Sequence, residues 1–131
     1  MEALVGTTII TSGLRDMYNS LKNVFIHENA SLNNLLKKTD IIAKLSVADV
    51  YIQEYTHQAS STLIVCMSQT HDQISTVNKL IEDINETIVM FNSSFFRLRS
   101  KPNIDILLQQ LEDEIHILDG RINTMLKVNS P

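Results

Sequence analysis

A chain of 131 residues fits one domain, 1–131, with a sizeable core. Its 44% hydrophobic and 20% charged residues are those of a folded globular protein and too apolar for a disordered one. A net charge of -4 argues against nucleic acid as a partner, because neutralising phosphates requires a clustered basic face.

Three Gly and two Pro leave few places to turn, so few, long elements are expected. The first is a helix over about 8–27, with Leu14, Met17 or Tyr18, Leu21, and Val24 or Phe25 on one face. The stretch 27–31 interrupts the repeat, and Ser31 is a candidate cap for the next helix. That second helix, about 31–58, carries Ile41, Leu45, Ala48, Ile52, Tyr55 and Ala59 at core spacing. Ser46-Val47-Ala48-Asp49 resembles a capping box, which places a bend or break near Leu45. The turn after it is poorly marked, since Ala59-Ser60-Ser61-Thr62 holds neither Gly nor Pro. A continuous helix through that point, making a rod, is the alternative to a turn.

The third helix is the strongest feature. From about Ser60 to Arg99 the positions Leu63, Met67, Thr70, Ile74, Val77, Ile81, Ile84, Ile88, Phe91, Phe95 and Leu98 form one 3-4 seam. Forty such residues span roughly 60 Å. Ser100 then caps and Pro102 opens a fourth helix, about 102–128, with Ile104, Leu108, Leu111, Ile115, Leu118, Ile122 and Met125 in its seam. Arg97, Arg99 and Lys101 sit at the intervening turn, where positive charge suits a helix C-terminus. Gly120 falls inside the fourth helix at a cost of up to about 1 kcal/mol, and could permit close approach of a bulky neighbour.

Two seams joined by a short break bury each other as a hairpin. The expected fold is therefore all-α, an antiparallel four-helix bundle whose long third and fourth helices form a heptad-patterned hairpin. A tight turn about Pro102 sets Phe95 against Leu107 or Leu108, Phe91 against Leu111, Ile88 against Ile115, Ile84 against Leu118 and Ile81 against Ile122. Residues 88–98 are apolar nearly all round, so they are either central in the bundle or covered by another chain. Val89, Met90, Phe95 and Phe96 are the candidate interaction surface.

Motifs for chemistry are weak. Glu54-Tyr55-Thr56-His57 and Asp113-Glu114-Ile115-His116 have the spacing of di-iron ligands in helical bundles. The seam, however, takes Ile52 and Tyr55, and Ile115 and Leu118. Glu54 and His57 then flank the core, and Asp113 and His116 face away from it. The run Glu112-Asp113-Glu114 reads as a solvated face. His71, one position after Thr70 and beside Asp72, reads as a boundary histidine bonded to a neighbour, and His27 as a cap or turn residue. No glycine-rich phosphate loop, catalytic triad or zinc-binding cysteine pair is present, so neither enzyme activity nor a metal or cofactor is expected. Cys66, among Ile64, Val65 and Met67, rules out an internal disulfide and reads as a buried, inert thiol.

No stretch approaches the roughly 18 to 20 uncharged apolar residues of a membrane span. The start lacks the basic residue and cleavage site of a signal peptide, so the three Asn-x-Ser/Thr sequons, at Asn29, Asn85 and Asn92, are expected to be unused unless the chain is an excised piece of an ectodomain. A reducing cytoplasm is the expected location, the host's if the chain is viral. Wealth in Ile and Asn, with no Trp, suits a viral or bacteriophage structural or accessory protein from an AT-rich genome. The leading functional expectation is a structural or assembly module that binds a protein partner or a second copy of itself.

A membrane is the less favoured partner. The uncharged, mildly apolar residues 3–10 resemble the start of the N-terminal helical bundles of cell-death effectors such as fungal HeLo domains. That resemblance covers only the apolar start and the bundle pattern, and implies a membrane-acting bundle. Against it, membrane-surface helices set Lys and Arg beside their apolar face, and the first basic residue here is Arg15.

Overall fold

The structure, a computed structural model, describes residues 30–55, 60–92 and 104–128. Every element in them is a helix: α1 (Ala30–Thr39), α2 (Ile41–Tyr55), α3 (Ser61–Asn92) and α4 (Asp105–Lys127). The fold is all-α, and α3 and α4 are its long hairpin. The helix expected over 8–27 lies outside the described residues.

The second expected helix is two helices, broken at Asp40 instead of near Leu45. Asp40 has φ 53°, a left-handed conformation that Asp tolerates better than most residues. Its N–H closes α1 onto the Leu36 carbonyl at 3.1 Å, and its carbonyl accepts from the Lys44 N–H at 3.3 Å to open α2. Thr39 Oγ1 reinforces the end by bonding the Leu35 carbonyl at 2.9 Å. Ser46 caps nothing: it sits inside α2 with Oγ turned back to the Ile42 carbonyl at 3.1 Å. Ser31 likewise lies inside the first turn of a helix that has begun at Ala30.

Ser60 supplies the start signal that the sequence left unmarked. Its Oγ accepts from the Leu63 N–H at 3.1 Å, and its carbonyl from the Ile64 N–H at 3.0 Å. This is a side-chain N-cap, so α3 begins here and no single rod runs on from α2.

The α3 seam is buried as its pattern requires: Leu63, Met67, Thr70, Ile74, Val77, Ile81, Ile84 and Ile88. In α4 the buried set is Leu111, Ile115, Leu118, Ile122 and Met125. α4 starts at Asp105, behind Ile104, which provides no side-chain cap; Pro102 is therefore not in its first turn, and Ser100 to Asn103 lie outside the described residues.

The expected register is wrong. Gln73 Nε2 donates to the Glu114 carbonyl at 2.8 Å, and Arg121 Nη1 to the Gln69 carbonyl at 2.8 Å. A tight turn at Pro102 would put Gln73 beyond Val128, so the true pairing slides α4 by about three to four turns. The pairing of Ile84 with Leu118 is replaced by one that sets Ile84 near the start of α4, and Val89 and Met90 run past that start. A 3-4 seam repeats every seven residues, so several slides bury the same side chains, and polar contacts choose among them.

Candidate interaction surfaces

α4 is the hub of the described bundle. One flank, Leu107, Glu114, Arg121 and Val128 at seven-residue spacing, turns to α3 through the bonds to Gln73 and Gln69. The other flank carries Glu112 and Asp119. Lys38 Nζ meets Glu112 Oε1 at 2.7 Å, and Lys44 Nζ meets Asp119 Oδ1 at 2.8 Å. These pairs ascend together along both elements, so α1 and α2 run in the same direction as α4, while α3 runs against it. Opposite charges two turns apart thus fix α1 and α2 to α4 on either side of the Asp40 break.

The acidic run is consequently not a uniformly solvated face. Glu112 and Glu114 flank the seam on opposite sides and each makes a tertiary bond, leaving Asp113 exposed. The Lys38 ammonium hydrogen-bonded to Glu112 is the main cause that holds its carboxyl below the ordinary value of 4.5; His116, with Nε2 at 3.8 Å, adds to it. Two open clefts flank the hub. One lies between α1 and α4, lined by Ser31, Asn34, Lys38, Gln109 and Glu112 among others; the other lies between α3 and α4, beside Thr76, Lys79, Asp83 and Asp113. Both are open, and both mix polar side chains with leucines, Leu35 and Leu108 in the first and Leu80 in the second.

Asp113 and His116 are exposed on α4 and Glu54 on α2; His57 lies outside the described residues. No group of three or more His, Cys, Asp or Glu among the described residues is placed to hold a metal. Cys66 is buried. His71 is half-buried, a boundary position as expected, and no described residue bonds its enclosed Nδ1.

Of the candidate surface, Val89 and Met90 are 46% and 57% exposed; Phe95 and Phe96 lie outside the described residues. Sequence reasoning missed five other exposed apolar residues: Val47 and Val50 on α2, Val65 on α3, and Ile106 and Ile117 on α4. All five lie off the seams, and that was the available signal. Residues 1–12, the basis of the membrane reading, are also outside the described residues. No described helix is long and apolar enough to cross a membrane.

The chain is similar to the uncharacterised protein L717 of Acanthamoeba polyphaga mimivirus, with 21% identity over 141 residues. The likeness spans 86% of this chain and 68% of that protein. No family model and no solved structure matches the chain. The likeness is to a viral protein and brings no biochemical activity with it.

Proposed function

We propose that this chain is a non-enzymatic helical-bundle protein that works through its surface, in protein–protein interaction or self-assembly, as a structural, scaffold or viral accessory component. The observation that carries the reading is the end of α3. Val89 and Met90 stand exposed where α3 outruns α4, and they continue in sequence into Phe91, Phe95 and Phe96. Apolar side chains at a helix end with no described helix opposite them make a natural contact for another helix. The viral likeness is consistent with an accessory role in a host cytoplasm. The partner is a protein or a second copy; neither nucleic acid nor a cofactor is invoked.

Light scattering on the purified chain across a concentration series tests the reading. A mass above the monomer that falls with Val89→Glu or Phe96→Glu supports self-assembly through this segment. A strict monomer at high concentration removes self-assembly, and a pull-down from the native source whose captured protein is lost with the same substitutions then supports a separate partner.

A further inference from the structure

The two exposed isoleucines of α4 bracket a stripe whose spacing reads the same in both directions. Ile106, Gln110, Asp113 and Ile117 follow one another at intervals of four, three and four residues, which places all four on one face of the helix. Every one of them is exposed, Ile106 at 64% and Ile117 at 46%. This face looks away from the described partners of α4. Lys38 and Lys44 hold Glu112 and Asp119 on one flank, and Gln73 and Gln69 bond Glu114 and Arg121 on the other. One turn beyond Ile117, a Cβ at Gly120 would meet nothing within 4 Å, so the approach to the face is open.

We propose that a second copy of this chain docks antiparallel on the outer face of α4 through Ile106, Gln110, Asp113 and Ile117. The occupant follows from self-complementarity, which a twofold contact requires. About an axis between Gln110 and Asp113, each Ile106 falls opposite the other copy's Ile117, and each Gln110 opposite the other copy's Asp113. Apolar side chains then meet at both ends, and at the centre an amide donor meets a carboxylate acceptor. A parallel pair in register would instead set Asp113 against Asp113, a juxtaposition of like charges. Lys79 of α3 lines the same cleft as Gln110 and Asp113, and its ammonium offsets the two carboxylates near the axis. Two isoleucines per copy supply far less than the about 800 Å² per partner of a stable complex, so this contact is weak and forms at high local concentration. It uses neither Val89 nor Phe96 and stands apart from the α3 end; a chain with both contacts links copies beyond a pair.

Disulfide trapping in a Cys66→Ala background tests direction and register together. In the antiparallel pair the two copies of residue 106 stand at least about 16 Å apart, beyond the roughly 7 Å between Cα atoms that a disulfide spans. Ile106→Cys chains mixed with Ile117→Cys chains are therefore expected to join at least about tenfold faster than either joins itself. No such preference, or faster joining of like with like, overturns the proposal. Adding Val89→Glu and Phe96→Glu to both chains should leave the mixed rate unchanged, which separates this contact from the α3 end; a mixed rate that collapses with them refutes a separate contact. The unmodified chain guards against a variant that fails to fold. Its amide signals at Ile106, Gln110, Asp113 and Ile117 are expected to shift as concentration rises from about 0.05 to about 1 mM, the range of a weak dimer, and constancy at all four overturns the proposal.

Discussion

At the scale of the residue, three positions have costs set by backbone geometry. Asp40 at φ 53° occupies a conformation that costs most L-residues about 1–2 kcal/mol. Asp40→Gly is expected to preserve or raise the urea midpoint, and Asp40→Val to lower stability by about 1–2 kcal/mol. Gly120 does not admit a close neighbour: a Cβ built there meets nothing within 4 Å. Gly120→Ala is therefore expected to stabilise by up to about 1 kcal/mol, from helix propensity alone. Ser60→Ala should cost about 1 kcal/mol, since it leaves the Leu63 N–H without its acceptor. Charge adds a pH dependence. Glu112 is held below 4.5 in the folded state, so its contribution is present in full above the unfolded value and is lost as pH falls through the folded one. The carboxyl carbon shift of Glu112 should titrate below 4.5, and Lys38→Met should move that midpoint upward by removing the main cause. Of these features the sequence made Gly120 visible as a cost. It could not show whether the surrounding space was open, which depends on packing. Asp40 was illegible because Asp is ordinary inside a helix, and only the chain's bend forces it left-handed.

At the scale of the element, seams were legible and register was not. Every α3 seam position from Leu63 to Ile88 is buried, because a 3-4 repeat of that length has one possible inner face. The slide of α4 along α3 instead depends on Gln73, whose amide reaches both the carbonyl and the carboxylate of Glu114. Nothing in the spacing distinguishes a buried Gln from a boundary one, and the short turn at Pro102 pointed to the wrong partner. Break positions failed for a related reason: Ser46 and Ser60 are both capping-type residues, and hydrogen-bond competition within the folded chain decides which one caps. A double-mutant cycle tests the register. Gln73→Ala and Glu114→Ala should couple by at least about 0.5 kcal/mol in urea unfolding, whereas the turn centred on Pro102 would keep the two residues apart and give additive effects.

At the scale of the whole molecule, polar contacts of α4 serve the bundle on both flanks, and apolar exposure remains at the far end of α3. A stable contact between proteins buries about 800 Å² on each partner. Val89 and Met90 alone cannot supply that, so an interface there has to recruit the residues after them, Phe91, Phe95 and Phe96. Exposed valines on α2 provide the control, because Val47 and Val50 are as exposed as Met90 but lie on a different helix. The Val89→Glu chain is expected to keep its unfolding midpoint within about 0.5 kcal/mol, as surface substitutions do, while its mass by light scattering falls toward the monomer. Val47→Glu should leave both mass and midpoint unchanged. The reverse pattern, with mass falling for Val47→Glu and holding for Val89→Glu, would move the interface to the outer face of α2. Because both substitutions add the same charge at half-exposed positions, a change confined to one of them reports location and not general repulsion.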